Sequence, residues 1–175
     1  MLFQEALDDA SVDFESKLYR DIAKLLKKSG LTIAVGETLT GGMFASKIFE
    51  LPGSSVYFRG GVICNHNLVH VQVCGVSPAL ISKKGAINKE VALEIANGIK
   101  KRFAADLSIA ITGICNNEVD EFSENTTGVV SLGFVFKNEQ KAKDFKFSGT
   151  YQSIRTQSIV AALGILRQWL ITEIS

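Results

Sequence analysis

The chain has 175 residues, 46% of them hydrophobic and 21% charged, with a formal net charge of +1. That length can bury a core without staples, and the near-neutral charge, with no basic cluster interleaved with aromatics, argues against a nucleic-acid partner. No apolar run reaches the length of a membrane span, and the acidic start MLFQEALDDASVDFESK lacks the basic and apolar regions of a signal peptide, so a cytoplasmic protein without a membrane partner is expected.

In chain order, FESKLYRDIAKLLKK sets Phe14, Leu18, Ile22, Leu25 and Leu26 at helical spacing, with Gly30 as a stop, and predicts an amphipathic helix over 14–28. The first 12 residues are expected to form a flexible N-terminal extension to a single domain. LTIAVGE is short, apolar and β-branched, as a buried strand is. GMFASKIFEL then predicts a helix ended by Pro52-Gly53. VYFRGGVI predicts a second strand, with Gly60 and Gly61 marking a bulge or close approach. A short helix is expected from Asn67 to Val73. NKEVALEIANGIKKRF carries Val91, Ile95, Ile99 and Phe103 on one face behind an Asn88 cap. DLSIAIT predicts a buried strand, GVVSLGFVF and KDFKFSG two more, and Gln152 to Ile171 a closing helix. Strands alternate with helices, so the expected fold is a single layered α/β/α domain with a mixed β-sheet.

Three stretches carry chemistry. GETLTGG, Gly36 to Gly42, leaves a predicted strand and enters a helix, where ligands collect in α/β sheets. Gly41 and Gly42 would present backbone N–H groups to an anion, with Thr38 and Thr40 adding hydroxyls. The alternative is that Thr40 merely caps the helix and Glu37 is a solvated or paired carboxylate. The second stretch is CNHNLVHVQVC, where His66 and His70 at i, i+4 and Cys74 a turn further would make a thin ligand set for a transition metal, or supply a base for a hydroxyl elsewhere. No metal and no cofactor are assigned. Cys64, Cys74 and Cys115 read as reduced thiols.

The third stretch is ITGICNN, where Thr112 and Gly113 form another hydroxyl-plus-glycine turn. The segment after it, within 116–127, holds Glu118, Asp120, Glu121 and Glu124 without Lys or Arg. It is −4 against +5 for the remainder of a +1 chain, a charge that would repel a phosphate if it overhung the pocket. Arg155 falls in the first turn of the closing helix, where the helix dipole disfavours a cation, so a bridging or ligand role competes with a surface ion pair.

In order and spacing, these pieces resemble the C-terminal domain family of the competence/damage-inducible protein CinA over nearly the whole chain. Its AES(L/C)TGG loop is similar to GETLTGG, and its PGSS and FxGGV match Pro52 to Ser55 and Phe58 to Val62. Its LLGV is similar to Val73 to Val76, its HGAVS to Lys84 to Asn88, and its SGIAGP turn to TGICNN. Its GTV resembles Gly128 to Val130, and its FxG before an arginine matches Phe147 to Gly149 with Arg155. The resemblance implies a nicotinamide mononucleotide amidohydrolase releasing ammonia, cytoplasmic and homo-oligomeric. The family's nucleophilic serine is Thr38 here, and its helper tyrosine and lysine from YSNEAK are Asn65 and His70. Asn116 and the acidic segment replace the glycine-proline of SGIAGP.

A rebuilt enzyme would use Thr38 as nucleophile, His70 as base and the Gly41 and Gly42 N–H groups for the oxyanion. Its nucleotide pocket would draw on Glu37, Thr40, Gly41, Gly42, Ser54, Asn65, Asn67, Thr112, Gly113 and Arg155. The alternative is a catalytically inactive relative that keeps the pocket as a nucleotide-binding or oligomeric scaffold.

Overall fold

A computed structural model describes residues 12–114 and 127–174, with side chains from 16 to 114 and 127 to 172. The expected extension, residues 1–12, lies outside the described residues except for Val12, and so do Cys115, Asn116 and the acidic segment up to residue 126. The elements are α1 (Val12–Ser29), β1 (Ile33–Glu37), α2 (Met43–Phe49), α3 (Ser54–Tyr57), β2 (Phe58–Ile63) and α4 (Asn67–Gln72). They continue as α5 (Pro78–Lys84), α6 (Lys89–Arg102), β3 (Leu107–Gly113), β4 (Val129–Phe136), β5 (Glu139–Lys146) and α7 (Tyr151–Ile174).

The strands form one five-stranded sheet in the order β2-β1-β3-β4-β5. β1 runs parallel to β2 and β3, whereas β4 and β5 are antiparallel to their neighbours, so the sheet is mixed as expected. Alternation along the strands splits the core into two layers. Ile33, Val35, Ile109, Ile111, Leu132 and Phe134 meet α1, α2, α3 and α7 on one face. Ala34, Ala110 and Val135 meet α4, α5 and α6 on the other. Each fully buried Ile, Leu or Phe contributes about 1.5–3 kcal/mol. Cys64 and Cys74, both buried, are free thiols in the second layer.

Side-chain volume sets how closely the helices approach the sheet. A Cβ on Gly133 would lie 2.3 Å from the Ala92 carbonyl oxygen, and one on Gly98 only 1.6 Å from that of Cys74. Helix α6 therefore rests directly on backbone at both places. At the opposite end of the sheet, Asp106 Oδ2 accepts from Thr32 N at 2.8 Å and from Thr32 Oγ1 at 2.7 Å, clamping β1 to β3. Hydrogen bonds from Thr32, outweighing partial burial, hold the Asp106 carboxyl below its usual range.

Three expectations shift. The first residues of VYFRGGVI form the helical turn α3, and β2 starts only at Phe58. Arg59 is skipped in the pairing of β1 with β2, the bulge expected beside Gly60. β5 begins at Glu139, not at Lys143, because Lys137 adopts φ 49° and closes a tight hairpin from β4. Helix α5 had no counterpart in the sequence reading, although Ser77 caps it and Pro78 opens it. Among the described residues no helix is long and apolar enough to cross a membrane.

Candidate functional site

β1 and β3 are adjacent and parallel, so their carboxyl ends place GETLTGG beside the Thr112-Gly113 turn. Thr38 stitches the two together. Its N–H donates to the Ile111 carbonyl at 2.9 Å, the last rung of the parallel ladder. Its own carbonyl has turned away to accept from Gly41 N at 3.0 Å. The hydroxyl takes the vacated place: Gly113 N donates to Thr38 Oγ1 at 3.2 Å, and Thr38 Oγ1 leans toward the Ile111 carbonyl at 3.4 Å.

Glu37 occupies the anion position at the start of α2. Its carboxylate, 1% exposed, accepts from Gly42 N at 3.1 Å, Phe44 N at 3.0 Å and Ala45 N at 2.8 Å. Gly42 supplies the left-handed φ of 94° that aims these donors back at the strand end. The expectation of open N–H groups at Gly41 and Gly42 is therefore not met. The first is bonded to the Thr38 carbonyl and the second to Glu37, because the chain supplies its own anion to the helix dipole.

Arg155, in the early turns of α7, reaches across to the same loop. Its Nη2 donates to the Thr40 carbonyl, and its guanidinium lies 5.1 Å from the centroid of the Tyr151 ring. At this contact, among the described residues, two buried polar atoms have no hydrogen-bond partner, Thr40 Oγ1 and Arg155 Nε; Thr112 Oγ1, also without a partner, shares the sheet face of Ser108 and Ala110. Buried groups of this kind are ordinarily satisfied, so the pair at the Thr40–Arg155 contact is where a ligand's polar atoms would be accommodated.

The two histidines part company. His66 is extended, not helical, and caps α4 by accepting from Leu68 N at 3.1 Å through Nδ1. The single helical face expected for His66, His70 and Cys74 therefore does not form. His70 is buried, and its Nε2 lies 2.8 Å from the Cys64 carbonyl oxygen. A carbonyl only accepts, so that nitrogen carries the proton and Nδ1, which has no partner, is a bare acceptor in the neutral ring. Burial lowers the proton affinity of His70, outweighing the opposing effect of that hydrogen bond. No hydrogen bond joins His70 to Thr38: the hydroxyl's partners are backbone groups of β3, and the ring's is the backbone of Cys64. Among the described residues no three His, Cys, Asp or Glu side chains are grouped to hold a metal ion.

Of the remaining predicted site residues, Ser54 donates to the Phe49 carbonyl at 2.6 Å and ties off the end of α2. Asn65 and Asn67 are exposed beside His66. The sequence reading missed a polar row in register across the sheet, Thr112 beside Ser131 beside Asp144. Ser131 Oγ donates to Asp144 Oδ1 at 2.6 Å. The one sign of it in sequence is a serine breaking the apolar run GVVSLGFVF.

Comparison with known proteins places this geometry in a family. The model of the CinA C-terminal domain matches residues 15–170. A CinA-like protein of Geobacter sulfurreducens is 33% identical over 172 residues, covering 98% of this chain and 41% of the relative. One from Desulfotalea psychrophila is 36% identical over 153 residues, 87% of this chain and 37% of the relative. The chain thus spans about two fifths of the length of these relatives. Among solved structures, the competence/damage inducible protein CihA of Agrobacterium tumefaciens superposes with a TM-score of 0.82 at 26% identity, covering 89% of this chain and 94% of that one. A competence or damage-inducible protein of Enterobacter asburiae, at 23% identity over 87% of this chain and 96% of its own, gives 0.84 and shares the fold. On the family match and these relatives, the chain belongs to the CinA C-terminal domain family.

Proposed function

We propose that this CinA-family chain binds a nicotinamide nucleotide or a close analogue at the β1–β3 crevice without hydrolysing its amide. One observation carries the reading: the hydroxyl of Thr38 and the ring of His70 are each committed to backbone partners and not to each other. A hydroxyl nucleophile without a hydrogen-bonded base is a poor one. The added methyl of threonine also restricts the attack geometry. Binding is supported by the unsatisfied Thr40 and Arg155 atoms, which suit a ligand's amide or phosphate oxygens. Glu37 acts here as a scaffold for the loop.

The hydrolytic reading keeps one specific support, the bare Nδ1 of a neutral His70, which is competent to accept a proton. Ammonia release from nicotinamide mononucleotide, run beside Thr38→Ala and His70→Ala, separates the two readings. We expect no release above the variants, together with calorimetric binding that weakens at least about tenfold, about 1.4 kcal/mol, in Arg155→Ala. Turnover abolished in both variants would replace the binding reading with a threonine–histidine amidohydrolase.

The same proposal takes the chain as one domain of the family type, cytoplasmic and self-associating. Phe49, Val56, Ile63 and Leu68 are 70%, 71%, 58% and 59% exposed, within a stretch of 20 residues that includes the edge strand β2. Apolar exposure so concentrated is a feature of interfaces.

A further inference from the structure

Two thiols meet where β2 gives way to α4. Cys64 follows β2 directly, and its N–H and its S–H both donate to the Glu37 carbonyl, at 2.7 Å and 3.4 Å. Cys74 closes the far end of α4, its N–H donating to the Val69 carbonyl at 3.2 Å. The helix is held at both cysteines: His70 Nε2 donates to the Cys64 carbonyl at 2.8 Å, and Gly98 of α6 backs onto the carbonyl of Cys74. The two residues are 0% and 1% exposed in the same apolar layer, with their sulfurs in hydrogen-bonding contact.

A cation stands beside them. Arg102 Nε donates to the Val73 carbonyl at 2.9 Å, one residue before Cys74, and among the described residues no carboxylate pairs with it. Buried cysteines in apolar surroundings are ordinarily inert, because burial pushes every such thiol up. Here the neighbours separate the pair. The bond from Cys64, outweighing burial and aided by the Arg102 charge, holds the Cys74 thiol below its ordinary range. The same bond, with burial, pushes the Cys64 thiol up. One sulfur is therefore the nucleophile, and the sulfur touching it keeps its proton.

We propose that Cys64 and Cys74 are an oxidisable dithiol, closed to an internal disulfide by a small-molecule disulfide of the glutathione type. The Cys74 thiolate attacks one sulfur of the small molecule, forming a mixed disulfide and releasing the other half as a thiolate. Cys64 then attacks Cys74 Sγ, passing its proton to the second departing thiolate and leaving an S–S bond between the two residues. Two protein sulfurs lose two electrons and the external disulfide is reduced to two thiols, so no further reagent is needed. Access requires only local opening: α4 is six residues long, and Gly75 beside Cys74 is exposed with open space at its Cβ. Closure withdraws the S–H donor from the Glu37 carbonyl, beside the crevice loop, while the N–H donor remains. The exchange is independent of what the crevice binds.

Cys64 and Cys74 share one tryptic peptide, residues 60–83, with no Lys or Arg between them, and Cys115 falls on another. Folded protein is equilibrated in glutathione buffers of rising oxidised fraction, quenched with iodoacetamide and digested without reductant. The peptide should pass in one step from doubly labelled to unlabelled and two hydrogens lighter, and dithiothreitol should reverse the change. In Cys64→Ser the remaining Cys74 should stop at the glutathione adduct, formed at least about tenfold faster than on Cys64 in Cys74→Ser. The parent measurement decides even where a serine variant does not fold. The proposal is overturned if the parent peptide stays doubly labelled in fully oxidised glutathione, or closes only in urea. It is equally overturned if Cys115 enters the bond in place of either residue, or if the two serine variants trap glutathione at equal rates.

Discussion

Thr38 shows how one hydroxyl can hold two loops together. Its Oγ1 replaces its own carbonyl as acceptor for Gly113 N. Thr38→Val removes that acceptor and strands a backbone N–H, so a loss of about 1–3 kcal/mol is expected. Thr38→Ser should recover most of it, and urea denaturation of the pair measures the difference. Glu37→Gln keeps an acceptor for the α2 N–H groups but loses the charge, and should cost about 1.5–3 kcal/mol by the same measurement. His70 sets an acid limit. Its folded-state proton affinity is depressed below the ordinary 6.5, with burial the main cause and the nearby His66 charge adding to it. The stabilisation is thus complete above pH 6.5 and is lost as the pH falls through the lower folded-state value. Melting temperature should drop more between pH 8 and pH 5 in the parent than in His70→Gln; equal slopes would refute the assignment.

Among the elements, the contact of α6 with the sheet and with the end of α4 is the least forgiving. The Cβ positions of Gly98 and Gly133 are filled by neighbouring backbone, so neither can be relieved by a rotamer change. Gly98→Ala should destabilise by at least about 2 kcal/mol, where Gly164→Ala on α7, with open space at its Cβ, should be neutral or stabilising. Comparing their thermal midpoints tests whether backbone approach sets the spacing of the α6 layer. The helices and strands themselves were mostly legible. Phe14 to Leu26 and Val91 to Phe103 show a 3.6-residue period, and LTIAV shows the composition of a buried strand. Less legible were the turn α3, short enough to pass for strand, and β5, whose alternating charges face solvent on both sides and leave no apolar pattern to read.

Over the whole molecule, the two sheet edges differ. The β5 edge is charged and borders an aromatic cleft, while β2 ends in the exposed Ile63 and the helices flanking it in sequence carry the exposed Phe49, Val56 and Leu68. A Cβ on Gly42 would come within 3.0 Å of Ile63 Cδ1, so the apolar edge adjoins the crevice loop. Sedimentation velocity should show self-association that Phe49→Asp with Ile63→Asp abolishes while the melting temperature holds, since both side chains are exposed. A monomeric parent would dismiss that edge as an interface.

The family and the layered α/β architecture were determined by the sequence alone, because hydrophobic period and the order of glycine-rich turns are local properties that survive without coordinates. The chemistry of the crevice was decided only in three dimensions. Whether the α2 N–H groups are open depends on where the Glu37 carboxylate folds back, and Gly42, Phe44 and Ala45 all bond to it. Whether His70 serves Thr38 depends on which carbonyl lies 2.8 Å from its Nε2, and that carbonyl belongs to Cys64. A hydrogen bond is directional over a few tenths of an ångström, and spacing along the chain does not carry that information.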